Sequence, residues 1–554
     1  MSEDNHQHQD LTHAQLRGIQ SNKHNSTPLK VLITTSGIGS RLGEFTNYTN
    51  KSLVKVGDKL ALSHIVEVYP ENTDYIVTLG HFGQHVRDFL EVAYPERVFT
   101  FVTVENYKGA GSSLGLSMLS ASEFLQEAFI FHASDTLILD QKIDSSPNEN
   151  WVAGSKGNSA SQYASFDVNS NFVMKFHDKG MMEFDYLHIG LIGIYDYELF
   201  WKTLKEIYAN NPLDSTLNDL VILNEMKNSG VNFRFKDVKV WADMGNTESL
   251  LSARKLLGEK YDVLEKSDES ISFVNSSVVK FFANHEIAEN RVIRSQSLAG
   301  LVPKITVSKG NFYKYDFAKG ELASSIMTVE KFKSLLNWSK ENLWVESREL
   351  STKEFHEVCN LFYKSKTLNR VEKFMENTRF EESFSTINDL KIPSIHKLLE
   401  AIDYDWLCKG AQTKFHGDFI LDNIIETEEG FKLIDWRQDF GGNLNSGDMY
   451  YDLAKLNHSL VVNHEIVNQN LFKIDISENI IRCEILRKHE LVECKEILNQ
   501  FLEANGLDVQ KVEILTSLIW LNMSALHHHP LDLFLFNFGK LNLWRAVQGH
   551  AKSK

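Results

Sequence analysis

Apolar and polar positions begin to alternate regularly at residue 29. Residues 29–45, LKVLITTSGIGSRLGEF, pass from an apolar, β-branched run through a glycine-containing turn into a polar segment. That is the pattern of a strand, a loop and a helix start. The apolar run recurs at residues 74–80 (DYIVTLG), 97–104 (RVFTFVTV) and 127–135 (EAFIFHASD), with helix-like spacing over 83–94 and 113–126. Such alternation predicts a mostly parallel, doubly wound α/β sheet. An amphipathic helix starting at residue 247 and running into a charged connector predicts a boundary near residue 262. Beyond it the period changes. Residues 271–284, 302–311 and 312–321 read as short antiparallel strands with glycine-containing turns. From about residue 328 the pattern is strongly helical, interrupted only at residues 414–440. Two domains are therefore expected, 29–262 and 263–554, the second with a β-rich lobe over about 268–327 and a helical lobe over about 328–554. Residues 1–28 are polar and poor in apolar side chains, which predicts a flexible tail.

Composition agrees with more than one domain, since 554 residues exceed a single ordinary core. Hydrophobic content of 42% and charged content of 24% are those of a soluble globular protein. The 58 Lys and Arg against 74 Asp and Glu give a formal charge of −16. That balance argues against nucleic acid or an anionic membrane as the main partner, because both require a basic footprint. It leaves small anionic ligands open. Cys359, Cys408, Cys483 and Cys494 are scattered, with no Cys-x-x-Cys pair, and read as reduced thiols. With no apolar leader and no apolar run near the roughly 20 residues of a membrane span, the expected location is the cytoplasm. The oligomeric state is not legible.

Two stretches carry chemistry. In TSGIGSRLGEFTNYTNKSL, Gly37 and Gly39 allow close backbone approach to a ligand, and Arg41 and Lys51 supply fixed positive charge. A tight turn without a ligand explains the glycines equally well. Asp135 follows an apolar strand, at the edge where α/β sheets bind ligands, and Asp243 lies in a second strand-to-helix transition. Lys179 falls between them in sequence. Two carboxylates converging from separate strands suit a divalent ion holding the phosphates of a nucleotide.

Residues 29–260 resemble the sugar-phosphate nucleotidyltransferases. Gly37, Gly39, Ser40, Arg41 and Lys51 match that family's opening Gly-x-Gly-Thr-Arg…Pro-Lys signature, Ser134-Asp135 its acidic segment, and WADMGN its late Trp-x-Asp-x-Gly-Thr. The resemblance implies a Rossmann-like domain in which Arg41 and Lys51 offset triphosphate charge while Asp135 and Asp243 hold Mg²⁺. It also places Gly109 and Ser112, in YKGAGSSLGLS, where the nucleobase is read. The chain departs from the signature at Thr34-Thr35-Ser36, where the family has Leu-Ala-Ala, and at Asn50, where it has proline.

The second stretch is HGDFILDN followed by LIDW, which brings Asp418, Asn423 and Asp435 into one short span. Phosphoryl transfer from ATP needs a carboxylate to orient the attacking hydroxyl and oxygen ligands for Mg²⁺. The stretch resembles the aminoglycoside-phosphotransferase and choline-kinase group, which has a two-lobed protein-kinase-like fold. That resemblance makes Asp418 the catalytic base, Asn423 and Asp435 magnesium ligands, and His416 a brace. Asp448 and Asp452 match the group's following helix and are expected to be structural. Lys280 takes the place of the strand lysine that grips ATP, with Glu289, or in competition Glu286, as its partner. A solvent-exposed lysine is the plain alternative. The aromatic residues over 518–544 read either as helix core or as a box for a quaternary ammonium, and His527, His528 and His529 are adjacent and cannot converge as a metal triad.

Together the resemblances imply a bifunctional enzyme with Mg²⁺ at both sites. It would phosphorylate a small hydroxyl compound with ATP and join the product to a second NTP, releasing pyrophosphate. Domain order favours CTP and a choline-like alcohol, for decoration of a bacterial surface glycan. One alternative is a sugar 1-kinase joined to an NDP-sugar pyrophosphorylase. Another is an inactive domain serving as a binding or regulatory module.

Overall fold

The computed structural model describes residues 28–258, 268–380, 382–383 and 385–553. All of the expected flexible tail except Pro28, and the expected boundary near residue 262, lie outside the described residues. The chain forms two compact units that part between Tyr261 and Asp262.

The first unit is built on a nine-stranded sheet. Its strands are β1 (Lys30–Thr34), β2 (Asp74–Leu79), β3 (Val98–Thr103), β4 (Phe129–Ala133), β6 (Trp151–Ser155), β7 (Ser165–Asn169), β8 (Phe172–His177), β9 (Tyr186–Ile194) and β10 (Arg234–Asp237). The short strands β5 (Thr136–Ile138) and β11 (Trp241–Asp243) form a separate antiparallel pair. Spatial order in the large sheet is β3-β2-β1-β4-β9-β6-β10-β8-β7. Helices α1 (Gly83–Ala93) and α2 (Leu114–Ser120) belong to the β3-β2-β1-β4 part, and α3 (Tyr197–Asn210), α4 (Asp219–Asn228) and α5 (Thr247–Leu257) follow. Side-chain caps fix several starts: Ser113 accepts from the Leu116 amide at 3.1 Å, and Asn246 from the Ser249 amide at 3.0 Å. Leu32, Phe129, Phe131 and Ile192 of the sheet meet Phe200, Trp201 and Leu204 of α3 in one buried cluster. Burial of each such side chain contributes about 1.5–3 kcal/mol.

The expectation of a mostly parallel sheet needs correction. Neighbours among β3, β2, β1 and β4 are parallel, but β9 runs antiparallel to both β4 and β6, and β7 and β8 are antiparallel too. Parallel neighbours need a crossover of a dozen or more residues, whereas β7 and β8 are joined by two. Those two, Ser170 and Asn171, have φ of 52° and 66°, the left-handed pair that a tight hairpin requires. β7 also pairs back onto β9.

In the second unit, β12 (Glu269–Val274), β13 (Ser277–Phe282), β14 (Ile305–Lys309) and β15 (Phe312–Asp316) form an antiparallel sheet in the order β12-β13-β15-β14. Helix α6 (His285–Ser297) lies between β13 and β14 in the chain. Helices α7 (Val329–Asn342), α8 (Thr352–Asn360) and α9 (Lys366–Thr378) follow, with one turn of wider π pitch, Leu361–Ser365, between the last two. A hairpin of β17 (Ile424–Thr427) and β18 (Gly430–Leu433) precedes α10 (Met449–Ser459), and the unit ends with α11 (His489–Ala504), α12 (Val509–Ser524) and α13 (Leu531–Ser553). The helical stretch is interrupted more than the sequence predicts. β19 (Phe472–Ser477) and β20 (Ile480–Ile485) form a hairpin that adds to β16 (Ser385–Ile387). These strands alternate in FKIDIS and IIRCEI, and Glu478, at φ 53°, turns between them.

The aromatic residues near the C-terminus are helix core. Trp520 and Phe538 pack with inclined rings at 4.8 Å between ring centres, Phe534 and Phe538 stack at 5.1 Å, and the Trp520 indole donates to His458 at 2.8 Å. All four cysteines are buried and free. Among the described residues no helix is long and apolar enough to cross a membrane.

Candidate functional site

Each unit gathers its own set of acidic and basic side chains. In the first, the assembly follows from strand order. β1 and β4 are parallel neighbours with Thr34 opposite Ala133, so the turn after β1 and the residues after β4 leave the same edge together. Thr35 remains tied to β2, its amide 3.1 Å and its hydroxyl 2.7 Å from the Thr78 carbonyl. The Ser36 hydroxyl meets Ser117 of α2 at 2.6 Å. Thr35 and Ser36, which depart from the family signature, thus anchor the turn on both sides.

Gly39 is required sterically. Its φ is 72°, and a Cβ there would lie 2.8 Å from Lys51 Cβ. Gly37 is different, since a Cβ would meet nothing within 4 Å. Asn50 anchors the segment that carries Lys51. Fully buried, it donates to the Thr35 carbonyl at 2.8 Å and the His81 carbonyl at 2.6 Å, and accepts from the Ser52 amide at 2.9 Å and hydroxyl at 2.8 Å. The neighbouring Lys51 is thereby set, with Nζ 3.0 Å from Asp135 Oδ2.

Asp135 and Asp243 are brought together by the β5–β11 ladder. Asp135 immediately precedes β5, Asp243 ends β11 opposite Thr136, and the Met244 amide donates to the Asp135 carbonyl at 2.9 Å. Burial pushes the Asp135 carboxyl up, but contact with Lys51 and the more distant Arg41 outweigh it and hold it below its ordinary value. Asp243 is pushed up by burial and by the charge of Asp135, against hydrogen bonds that include Ser249 and the Gly245 amide. Tyr163 also donates to Asp243 Oδ2 at 3.1 Å, a site residue the sequence gives no signal for. Arg41 is exposed, and a Cβ on Gly245 would lie 3.5 Å from its Nη2 and 3.2 Å from Asp243 Oδ1. Ser40 is exposed beside it.

The remaining expected residues are more loosely placed. Gly109, with φ 83°, and Ser112 form an exposed turn in which the Ser112 hydroxyl donates to the Gly109 carbonyl at 2.8 Å. Gly80 lets that loop approach the β1 turn, since a Cβ there would lie 2.4 Å from the Ser36 carbonyl and 2.8 Å from Tyr107 Cβ. Lys179 is exposed in a turn after β8 and makes no ion pair with Asp135 or Asp243.

In the second unit, residues 415–418 are fixed from beneath by α10. Asp452, fully buried, accepts from the His416 and Gly417 amides at 2.7 Å each, and burial pushes its carboxyl up to about 6. Asp448, also buried, accepts from the Ala411 amide at 2.9 Å and from Tyr363 at 2.8 Å. Both acids therefore brace backbone. The His416 ring lies 2.9 Å from the Ile434 carbonyl through Nε2, while its Nδ1 accepts from the Asp418 amide at 3.3 Å. Burial lowers it to about 4, so it stays neutral with the proton on Nε2.

Asn423 donates to the Asp418 carbonyl at 2.9 Å and to Asp418 Oδ2 at 3.1 Å. Asp418 Oδ1 lies 2.7 Å from Lys455 Nζ of α10. Burial alone would raise the Asp418 carboxyl; the Lys455 ammonium outweighs it and holds the group well below its ordinary value. Lys455 lies three residues after Asp452, on the helix that braces the loop, and that spacing is the signal by which sequence could have found it.

Lys280, on the central strand β13 and only 3% exposed, lies 2.6 Å from Asp435 Oδ1. The expected pairing of Lys280 with Glu289 or Glu286 is not formed. Both glutamates are exposed on α6, and Arg291 of that helix joins Lys280 on Asp435 instead. Asp435 has φ 60°, and the following Trp436 indole donates to the Arg291 carbonyl at 2.8 Å. Buried Arg294 donates to the carbonyls of Leu444, at 2.9 Å, and Phe415, at 2.6 Å.

Among the described residues no group of three or more His, Cys, Asp or Glu is arranged to hold a metal by itself. The β5–β11 ladder sets Asp135 beside Asp243, and the Ile434 amide, donating to the Asn423 carbonyl at 2.9 Å, keeps Asp435 near Asn423; either pair would suit a divalent ion only if other ligands completed it. The upward pressure of one carboxylate on the other in the first unit is the electrostatic setting such an ion relieves.

No family model matches the chain, and no curated protein matches it. Solved structures similar to it include a Bacillus anthracis protein described as a glucose-1-phosphate thymidylyltransferase, with 19% identity and TM-score 0.36, over 43% of this chain and 98% of that one. A CTP:phosphocholine cytidylyltransferase of Streptococcus pneumoniae is 14% identical with TM-score 0.36, over 42% of this chain and all of its own. An inositol-1-phosphate CTP transferase of T. maritima is 15% identical with TM-score 0.33, over 42% of this chain and 97% of its own.

Proposed function

We propose that the chain is a bifunctional transferase. The second unit phosphorylates a small hydroxyl compound with ATP, and the first joins the phosphorylated product to a second NTP, for which CTP is the first candidate. The observation that carries this reading is that each unit separately assembles carboxylates and cations suited to phosphate chemistry: Asp135 and Asp243 with Lys51 and Arg41, and Asp418, Asn423 and Asp435 with Lys280.

In the first unit, a phosphate oxygen of the acceptor forms a bond to the α-phosphorus, and the bond to the bridging oxygen breaks as pyrophosphate leaves. Lys51, fixed by Asn50 and Asp135, and Arg41 beside Asp243 offset triphosphate charge. In the second, Asp418 orients the acceptor hydroxyl for in-line attack on the γ-phosphorus of ATP, with ADP leaving. Neutral His416 and buried Asp452 keep the Asp418 backbone in place. Lys280 and Arg291 hold the ATP phosphates beside Asp435. Mg²⁺ at each site would supply charge neutralisation for the transferred group.

Phosphorus NMR of the full chain with ATP, each NTP in turn, Mg²⁺ and separate pools of alcohols and sugars tests the reading. A phosphomonoester should appear first, then a diphosphodiester conjugate with pyrophosphate, and EDTA should suppress both. Absence of a phosphomonoester from every pool would remove the kinase assignment. Absence of a conjugate when phosphorylated acceptors are supplied would remove the other.

A further inference from the structure

Beyond Lys455, two further cations gather beside the loop that carries Asp418. Lys455 is paired with it at 2.7 Å. Arg437 is built into the same loop: its amide donates to the His416 carbonyl at 3.0 Å, and a Cβ on Gly417 would lie 2.6 Å from Arg437 Cβ. Its guanidinium carbon is 5.0 Å from the centre of the Phe362 ring, and Lys366 Nζ lies 4.0 Å from the same ring. Lys366 Nζ is also 5.9 Å from the ring of Tyr451, one helical turn before Lys455. Phe362 belongs to the turn of π pitch that leads into α9, an irregularity that recurs at functional sites.

Neither Lys366 nor Arg437 forms an ion pair among the described residues. Arg437 Nε donates instead to the Asp439 carbonyl at 3.1 Å. Burial and then the charges of Arg437, Lys455 and Arg370 push the Lys366 ammonium well below its ordinary value, with Asp439 opposing weakly. Lys366 and Arg437, with only Asp439 opposing, repel one another unless a further anion joins them. The phosphates of ATP have their own cations, Lys280 and Arg291 at Asp435. A quaternary ammonium finds no place here, because the faces of Phe362 and Tyr451 already carry Lys366.

We propose that the acceptor phosphorylated by the second unit is anionic, with a carboxylate or phosphate near the reacting hydroxyl that is bound by Lys366 and Arg437. The inference rests on Asp418 orienting that hydroxyl, as above. It replaces a choline-like acceptor by one of opposite charge.

The test measures initial rates of ADP release by the full chain, with ATP and Mg²⁺, against five acceptors. D-glycerate and glycerol 3-phosphate carry the anion as carboxylate and as phosphate; glycerol is the neutral counterpart; choline and ethanolamine are cations. One of the two anions should exceed glycerol in kcat/KM by at least about tenfold, an effect on the scale of one charge-assisted contact. Lys366→Met should raise the KM for that anion by about tenfold with kcat and the KM for ATP little changed, and Lys366→Arg should restore it. Preference for choline, ethanolamine or glycerol overturns the proposal and leaves the kinase reading standing. A Lys366→Met effect confined to the KM for ATP likewise overturns it, since the cations then serve the transferred phosphate. If none of the five raises ADP release above the rate without acceptor, the proposal is overturned, and the kinase reading falls only if the alcohol and sugar pools described above also yield no phosphomonoester.

Discussion

Lys455 Nζ lies 2.7 Å from Asp418 Oδ1, although one residue comes from the middle of a helix and the other from a loop thirty-seven positions earlier. Contact with the Lys455 ammonium holds the Asp418 carboxyl well below its ordinary value, against the upward push of burial. Asp418→Asn should therefore lower acceptor phosphorylation by about 10²–10⁴-fold, the usual range for a group acting on the transferred proton. Lys455→Met should lower it less, because the carboxylate remains. Neither should affect pyrophosphate release when the phosphorylated acceptor is supplied directly. Separate assays of ADP and pyrophosphate check this, and a fall in both with Asp418→Asn would remove the division of labour.

The ladder that sets Asp243 opposite Thr136, and so beside Asp135, makes a complementary prediction. Asp243→Asn and Asp135→Asn should each cut pyrophosphate release by about 10²-fold or more, since they remove charge from a site that acts by electrostatics. ADP release should be unchanged. Tyr163→Phe, which removes the 3.1 Å contact to Asp243, should cost under about tenfold. Full activity of Asp243→Asn would exclude the pair as the metal-binding acids.

Asn50 ties three segments of the first unit through four hydrogen bonds. Asn50→Ala leaves the buried Thr35 carbonyl, the half-buried His81 carbonyl and the buried Ser52 hydroxyl with fewer partners and should destabilise that unit by about 2–3 kcal/mol. Asn50→Pro should not rescue it, because proline supplies no donor for the Thr35 and His81 carbonyls. Chemical denaturation, followed by the fluorescence of a tryptophan in the same unit, reads the change. A shift below about 0.5 kcal/mol would show that Asn50 is not the anchor.

Buried His132 of β4 gives the first unit a pH dependence of defined sign. Its Nδ1 lies 2.7 Å from the Tyr69 hydroxyl and its Nε2 2.9 Å from the Thr136 carbonyl, and burial lowers it from 6.5 to about 4. The unfolded chain takes up a proton below pH 6.5 and the folded unit does not. Stability from this group is complete above pH 6.5 and lost as pH falls toward 4, by about 3 kcal/mol at the lower end. Denaturation midpoints across that window should fall, and His132→Gln should flatten the slope whatever it does to the baseline. An unchanged slope in the variant would assign the dependence to other groups.

The sequence by itself determined the elements and motifs whose signals are local. Residues 29–45 encode a strand, a glycine turn and a positive charge in consecutive positions, and residues 416–423 encode a loop that adjacent backbone amides and one asparagine stabilise. Tertiary structure alone decided what meets those residues. β9 enters the sheet antiparallel because short loops replace crossovers after β6, and residues 472–485 pair as a hairpin inside a largely helical region. The carboxylate held by Lys280 is Asp435, 155 positions away, and Arg291 rather than Glu289 accompanies it. Such partners are chosen by strand order and by which helix face a side chain occupies. Neither is written in the spacing of a motif, so charge neighbours as distant as Lys366 and Arg437 appear only once the helices are packed.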